Sequence, residues 1–493
     1  MNFAAIQFKM VHPTRIVLVV AIVTLLLILV VADLVPRFHD GDSAIFIYTR
    51  LGGYIPKNRS WTYGLTLGWI TRTSAQLIGV PLAQIFLSWT AFALFGIATA
   101  AFLNMPRPAA IALMIIGVLE PLGYYWSRSF MPDSPAQSAF VLLYAAMLWR
   151  SGGLTRFMLV FTMGFVLISL RVVYFPAILT ALIIAAACRF LAARNALKPQ
   201  GHARNVLADP ALRSWAIALA AILAANVAYA YMNTKMTHGR VLSTDVGDME
   251  FLVGALSPVM GDDLDKTPLT AAERAALPPL TYQNRLRQTF SPDGLVLSVR
   301  RHFASTEDAR PAMRRLLLSV ALHHPGALAE LVLRQWLDYL NPLLVVPNQY
   351  AGRLSGAVPV GQVISLPDRA IHILESWKVR PAPTRDMPSK PSVALWYLET
   401  FGGIWSLVLS YYATFSIVWV YLLPGNKRSG FVVFTNSFAF FYLATIVVGA
   451  NQLVTRYLLP LDAPMLYTVC AAICSWRDNP TVERRQFSTK AEK

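Results

Sequence analysis

Two carboxylates, Asp40 and Asp42, lie in a short loop beside His39, soon after the apolar run 16–32. Carboxylates at a lipid boundary are costly to hold there, so they commonly serve a function. Either one could act as a general base, and His39 could share or tune its proton. The Asp-x-Asp spacing could alternatively hold Mg²⁺ or Mn²⁺, with waters completing the coordination shell. A solvated loop that merely ends a helix is the competing interpretation.

Cations that could bind an anionic group lie near other predicted helix ends. Arg128 lies a few residues ahead of Asp133, Arg171 interrupts a long apolar run, and Arg456 with Tyr457 opens the last apolar run. Arginine can hold a phosphate at two points through its planar fork of donors. Because an arginine within a membrane segment is costly, Arg171 indicates either a function or an internal ion pair. For Arg128 and Arg456 the alternative is an anchor at the membrane interface.

Three further acidic residues allow structural explanations. Asp133 opens an apolar run, where a carboxylate gains from the helix dipole and can cap the backbone. Glu120 and Asp462 lie within apolar runs and could pair with Arg128 and Arg456 to keep the charges neutral. A functional role for Asp133 is favoured because two neighbouring turns both place aspartate beside arginine and aromatic residues.

The composition is that of a polytopic membrane protein, with 56% hydrophobic and 14% charged residues. Crossing about 30 Å of hydrocarbon takes roughly 20 apolar residues. Apolar runs near this length are found at 16–34, 80–103, 108–126, 135–149, 157–188, 214–232, 396–423, 431–450 and 457–475. Arg171 and Pro176 divide the fifth run, which is therefore counted as two segments. The predicted fold class is an all-α polytopic membrane protein with about ten membrane segments.

The distribution of Lys and Arg predicts the orientation, because basic residues in short loops stay cytoplasmic. With ten segments, every basic cluster faces the cytoplasm, and residues 39–42, Asp133 and the turn 451–456 face outward. The formal charge of +17 then suits anionic lipid headgroups and needs no nucleic acid. The three cysteines imply neither a disulfide framework nor a metal site.

Four regions follow from these patterns. Residues 1–232 and 395–476 form the membrane body, residues 233–394 form an outer domain, and residues 477–493 form a cytoplasmic tail. The outer domain is polar enough to lie outside the membrane, and its pattern is mostly helical.

Local signals within the outer domain predict particular helix ends. Thr270-Ala-Ala-Glu273 has the pattern of a capping box, and Pro325 interrupts an amphipathic run over 309–340. Four large side chains could form an apolar underside on the membrane or an ordinary domain core; they are Trp336, Tyr339, Leu343 and Leu344.

The order of these motifs resembles the GT-C glycosyltransferases. The motifs are the aspartates of the first outer loop, Pro132-Asp133 opening the fourth span, Arg171 in the fifth to sixth segment, and Arg456-Tyr457-Leu-Leu-Pro opening the last span. The chain is most similar to the protein O-mannosyltransferase and aminoarabinose transferase branch, over the membrane body more than the outer domain. The resemblance implies transfer of a sugar, with inversion, from a polyprenyl-phosphate donor to a glycan, lipid or protein acceptor on the outer face.

The resemblance also implies roles for individual residues. The catalytic carboxylates are Asp42, Asp40 and Asp133. The substrate-binding residues are Arg171, Arg456, Arg128, His39 and Tyr457. The related enzymes usually carry two adjacent acidic residues in the first loop, whereas this chain has Asp-Gly-Asp, so the choice of base between Asp42 and Asp40 is open. No metal ligand is assigned, since polyprenyl-phosphate donors do not require one, and Mg²⁺ or Mn²⁺ stays an alternative.

Two functions outside this class are also compatible with the sequence. A transporter or lipid flippase would equally contain broken helices and buried charges, although this chain has no repeated halves. A non-catalytic assembly subunit is the third interpretation. Neither a Walker loop nor a dinucleotide fingerprint is present. The short loops and the absence of outer cysteines predict a multi-pass protein of the bacterial inner (cytoplasmic) membrane, with its site facing the periplasm.

Overall fold

Helices make up most of the described residues of the computed structural model, and no β-strand occurs among them. The described residues are 42–51, 55, 60–73, 79–149, 151–197, 209–237, 245–346, 368–369, 372, 393–422, 429–449 and 452–477.

The helices of this part of the chain are numbered in order. Those before the predicted outer domain are α1 (Asp42–Leu51), α2 (Thr62–Thr73), α3 (Gly79–Leu103), α4 (Arg107–Leu119), α5 (Pro121–Trp126), α6 (Asp133–Leu148), α7 (Gly153–Leu170), α8 (Tyr174–Leu197) and α9 (Pro210–Met236). The next are α10 (Asp245–Leu256), α11 (Ala271–Ala276), α12 (Arg285–Phe290), α13 (Leu295–Arg300), α14 (Thr306–His323), α15 (Pro325–Leu340) and α16 (Pro342–Val345). The last are α17 (Val393–Leu422), α18 (Ser429–Gly449) and α19 (Asp462–Arg477), the last preceded by the 3₁₀ segment Thr455–Leu461.

Seven helical stretches of the described chain are long and apolar enough to cross a membrane. They are Gly79–Leu103, Gly153–Leu170, Tyr174–Asn195, Pro210–Met236, Phe401–Leu422, Gly430–Gly449 and Thr455–Ser475. Their surfaces carry large apolar side chains such as Leu154 and Val227, which are 77% and 66% exposed. Such surfaces favour lipid over water. The chain therefore has the features of a helical multi-pass membrane protein. The predicted first span, 16–34, lies outside the described residues, and the total of about ten segments stays a prediction.

The fifth apolar run consists of two helices separated at Arg171. Helix α7 ends at Leu170, and α8 begins at Tyr174. Pro176 explains the break, because it lacks the N–H that would bond to the Val172 carbonyl in a continuous helix. The N–H groups in the first turn of a helix have no acceptor within that helix. Pro176, which lacks an N–H, is therefore tolerated in the first turn of α8.

The run 108–126, predicted as one span, is instead two shorter helices. Helix α4 ends at Leu119, and α5 begins at Pro121. Glu120 lies between them, and its carboxylate accepts hydrogen bonds from the N–H groups of Leu122 (2.9 Å) and Gly123, which caps α5. The break follows from proline at the first helical position together with this cap.

Helix α6 is the central helix of the membrane body. Every one of its residues except Leu142 is buried. It packs between α3 and α7, and it also contacts α5 and the 3₁₀ segment Thr455–Leu461. Phe140 of α6 stacks on Phe438 of α18 with ring centroids 4.4 Å apart. Because α6 is enclosed on all sides, its first residue, Asp133, also lies inside the protein.

Helices α10 to α15 form a second apolar core of their own, around Val253, Leu295 and Leu316. The predicted capping box is confirmed, since Thr270 and Glu273 bond to each other's backbone N–H at the start of α11. The predicted break at Pro325 is also confirmed, because α14 and α15 meet there at 98°.

Helix α15 connects helices α10 to α14 to the membrane body. Tyr339 belongs to the membrane-body core, and Trp336 and Leu344 pack against it, whereas Leu343 is exposed. Trp336 Nε1 donates a hydrogen bond to Thr414 Oγ1 of α17 (2.9 Å).

Candidate functional site

Asp133 is the first residue of α6, and its side chain is directed at a cation and does not cap the helix. The carboxylate is 4% exposed, and its Oδ1 lies 2.6 Å from Arg171 Nη2. The residue at the N-cap position is Pro132, and no side chain caps this helix. Asp133 therefore has the favourable field of the helix N-terminus and an ion pair with the residue that directly follows α7.

Arg171 lies at the break between α7 and α8. Its backbone is extended, and its N–H bonds to the Leu167 carbonyl (2.8 Å) at the end of α7. The side chain is 19% exposed, and its guanidinium carbon lies 5.5 Å from the centre of the Tyr457 ring. The helix break thus lets a cation leave the helix surface and face the N-terminus of α6.

Arg456 and Tyr457 come from the 3₁₀ segment that precedes α19. Arg456 Nε lies 3.9 Å from the same Asp133 Oδ1 that Arg171 contacts. The Arg456 guanidinium also lies over the rings of Trp126 (5.6 Å) and Tyr457 (5.3 Å). Tyr457 therefore contacts both guanidinium groups, and such cation–π contacts help to fix their planes.

Asp133, Arg171, Arg456 and Tyr457 form what is called the Asp133 cluster below. Two guanidinium groups face one carboxylate, so the cluster has an excess of one positive charge. Asp133 Oδ2 and Arg171 Nε are buried and make no hydrogen bond within the described part of the chain. An arrangement of this kind can bind an oxyanion and stabilise negative charge that grows on it.

The start of α1 lies beside the turn that precedes α6. Ser43 Oγ donates a hydrogen bond to the Phe130 carbonyl (3.1 Å). This contact brings the backbone that follows Asp42 close to the loop that carries Asp133. Asp42 is the first residue of α1, and its side chain is not described. Asp40 and His39 lie outside the described residues.

The start of α2 lies beside the end of α7. Thr62 Oγ1 donates to the Ser169 carbonyl (2.6 Å), and Trp61 Nε1 donates to Asn233 Oδ1 of α9 (2.9 Å). These bonds hold α2 next to the break that contains Arg171.

Arg128 is buried in the turn between α5 and α6. Its guanidinium lies 5.1 Å from the Tyr124 ring centre and 5.9 Å from that of Tyr125. The ion pairs of the described residues do not include the expected Glu120–Arg128 or Asp462–Arg456 pairs. Arg128 and Arg456 therefore do not neutralise the charges of Glu120 and Asp462.

Gln137 links the two carboxylates in place of an arginine. Its Nε2 donates to Glu120 Oε1 (3.1 Å) and to Asp462 Oδ2 (2.7 Å). Trp405 Nε1 of α17 donates to Asp462 Oδ1 (2.6 Å). The sequence analysis did not identify Gln137 or Trp405. The sequence feature that could have indicated Gln137 is its position four residues after Asp133, on the same face of an apolar helix.

No group of three or more His, Cys, Asp or Glu side chains among the described residues could hold a metal ion. This finding does not cover the Asp40-Gly-Asp42 pair, the sequence-based alternative for Mg²⁺ or Mn²⁺. Asp40 lies outside the described residues, and the side chain of Asp42 is not described.

The chain was compared with known proteins in three ways. No protein-family model matches it, and no curated protein or solved structure is significantly similar to it.

Proposed function

We propose that this chain is an inverting membrane glycosyltransferase with a GT-C-like fold, acting at the periplasmic face of a bacterial inner membrane. Its donor is a polyprenyl-phosphate sugar, and its acceptor is a glycan, lipid or protein hydroxyl. The observation that carries the proposal is the convergence of Arg171 and Arg456 on the buried Asp133, each at the end or break of a different helix.

The Asp133 cluster suits the leaving group of this reaction. When the bond between the anomeric carbon and the phosphate oxygen breaks, the electron pair goes to the phosphate, which becomes more negative. Fixed cations at that position stabilise the transition state more than the ground state. Arg171 and Arg456 have this role in the proposal, and Asp133 keeps the two guanidinium groups oriented before the donor binds.

The first outer loop would supply the base. The acceptor oxygen forms the new bond to the anomeric carbon and loses its proton to a carboxylate, Asp42 or Asp40. The contact between Ser43 and Phe130 supports this part of the proposal, because it fixes the start of α1 near the turn leading to Asp133. Arg128, His39 and Tyr457 are the remaining proposed substrate contacts.

Sugar transfer in proteoliposomes tests the proposal. The purified protein is supplied with a panel of polyprenyl-phosphate sugars and with lipid and glycan acceptors, and release of polyprenyl phosphate is measured. The test variant is Arg171→Lys, which keeps the charge but loses the planar fork. We expect its turnover to fall by about 100-fold or more, the usual loss when one transition-state donor is removed.

Arg189 provides a matched control, because its Nη2 forms an ion pair with Asp209 Oδ2 (2.5 Å), away from the Asp133 cluster. Arg189→Lys should keep turnover within about twofold of the unmodified protein, since exposed pairs contribute little. Release of polyprenyl phosphate from none of the donors, or equal turnover in the two variants, would contradict the proposal.

A transporter or lipid flippase is the second candidate, and one observation favours it. Glu120 and Asp462 are buried carboxylates within the helical body, a feature of proton-coupled carriers. Translocation of a labelled polyprenyl-phosphate sugar across proteoliposomes, with its glycosyl–phosphate bond intact, would support this candidate over the enzyme.

A further inference from the structure

Glu120 and Asp462 form a second buried charge centre around Gln137, which lies one helical turn along α6 from Asp133. Their side chains are 2% and 0% exposed. One nitrogen, Nε2 of Gln137, donates to both carboxylates, which places the two groups next to each other. Gly123 makes this approach feasible, because a Cβ atom there would overlap the Glu120 carboxylate and the Gln137 amide.

The hydrogen-bond partners of this pair are all neutral. Besides Gln137, Glu120 accepts from the N–H groups of Leu122 and Gly123, and Asp462 accepts from Trp405. Neither carboxylate forms an ion pair with another described residue. Two adjacent carboxylates away from water and without a cation cannot both hold a negative charge cheaply. One buried acceptor atom, Gln137 Oε1, also lacks a hydrogen-bond partner among the described residues and could accept from a protonated carboxyl group.

We propose that Glu120 and Asp462 bind a proton as a pair, and that this proton holds the 3₁₀ segment in the position that presents Arg456 to Asp133. The link to Arg456 rests on the proposed function, whereas the bound proton does not. Gln137 and Asp133 lie on the same helix, and Asp462 directly follows the 3₁₀ segment that contains Arg456. Gln137 Nε2 also approaches the Leu459 carbonyl of that segment (3.4 Å).

Loss of the proton would leave two like charges, on Glu120 ahead of α5 and on Asp462 directly after the 3₁₀ segment, both against the Gln137 amide of α6. Their repulsion would separate Asp462 from Glu120 and Gln137, and Arg456, in the segment before Asp462, would move with it. The pair would thus control the donor site without touching the donor. Glu120 and Asp462 are therefore positioning residues.

Among the described residues, other charged or titratable groups near the pair are few. Tyr397 of α17 interacts electrostatically with Glu120, and Tyr174 of α8 interacts with Asp462. Both are phenols, which ordinarily stay neutral below about pH 10. On the side of the Asp133 cluster, Arg171 and Arg456 face Asp133, and arginine stays protonated at any pH used here. The carboxyl pair is consequently the group expected to take up or release a proton at this contact.

Infrared spectroscopy of the full-length protein in nanodiscs detects the proton directly. A protonated carboxyl group has a carbonyl stretch that shifts in D₂O and disappears on ionisation. We expect this band at pH 7 in the unmodified protein, and we expect Asp462→Asn and Glu120→Gln each to remove at least half of it. Asp263→Asn is the matched control, because Asp263 is buried but paired with Lys266 (2.6 Å), and it should leave the band unchanged.

Three outcomes of this infrared experiment would contradict the bound proton, and none of them requires a sugar donor. Absence of the band in the unmodified protein would overturn the proposal, even if neither variant folds. Retention of the full band in both variants, or its loss in the Asp263→Asn control, would also overturn it.

Binding of polyprenyl phosphate tests the link to Arg456. As pH rises through the range in which the band disappears, affinity should fall at least tenfold in the unmodified protein and stay constant in Asp462→Asn. Constant affinity in both proteins would overturn the link. A normal band with no polyprenyl-phosphate binding at any pH would instead overturn the proposed function and leave the bound proton supported.

Discussion

The ion pair between Asp133 and Arg171 should contribute far more to stability than the other membrane-body ion pair with a similar distance. Its side chains are 4% and 19% exposed, against 16% and 36% for Asp209 and Arg189. Removing one partner of a buried pair typically costs about 3–5 kcal/mol because the other charge stays buried. Since Arg171 retains some exposure, we expect Asp133→Asn to cost about 3 kcal/mol, at the low end of that range. The Asp209–Arg189 pair is partly buried but more open to solvent, so breaking it should cost less, near the upper limit of about 1 kcal/mol for exposed pairs.

A double-mutant cycle separates the pair from other effects of each substitution. Asp133→Asn, Arg171→Gln and the double variant are unfolded by SDS in mixed micelles, and tryptophan fluorescence gives the free energy of unfolding. The same cycle with Asp209→Asn and Arg189→Gln is the control. We expect a coupling energy of about 2–3 kcal/mol for the first pair and under about 1 kcal/mol for the second. Equal coupling energies would refute the argument that burial makes the Asp133–Arg171 pair stronger than the Asp209–Arg189 pair.

Two further predictions concern helices α10 to α15 and their contact with the membrane body. Tyr339 Oη accepts a hydrogen bond from the buried Val454 N–H (3.2 Å), so Tyr339→Phe should cost about 1–3 kcal/mol and speed amide hydrogen exchange around Val454. Unchanged exchange there would show that α15 does not hold this segment. Burial raises the pKa of Asp263, but hydrogen bonds from Lys266 and Ser319 outweigh it, so the pKa lies below its ordinary value. Because the folded-state pKa is below the unfolded one, the stabilisation is full above about pH 4 and is lost as pH falls through the folded-state pKa. Asp263→Asn should therefore flatten the acid side of the stability profile measured by chemical unfolding between about pH 2 and pH 6, and an unchanged acid side would contradict this.

Local sequence signals predicted helix ends well where a single residue type dictates them. The capping box at Thr270 and the break at Pro325 were both confirmed, because a cap or a proline acts on its own turn. The run 108–126 was predicted as one span, and the structure divides it into two helices. Its hydropathy does not reveal that Glu120 caps a new helix starting at Pro121, although that pair of residues contains the signal.

Residue type identified the members of the Asp133 cluster, but it did not identify their contacts. Asp133, Arg171 and Arg456 each attracted attention as a charge in an apolar context, which is a property of the sequence alone. The sequence allowed Arg456 to pair with Asp462, whereas in the structure Arg456 faces Asp133 and Asp462 faces Gln137 and Trp405. That choice depends on the packing of α6 against the 3₁₀ segment.

The sequence by itself determined that this protein is helical and multi-pass in character, because the cost of placing charge in lipid restricts long apolar runs to one environment. Proline and capping residues likewise determined where several helices break. Only the tertiary structure decided which carboxylate meets which cation, since residues far apart in the chain are brought together by the packing of α3, α5, α7 and the 3₁₀ segment around α6. The same packing buries Glu120 and Asp462 with a shared amide and no arginine, an arrangement that no local pattern could specify.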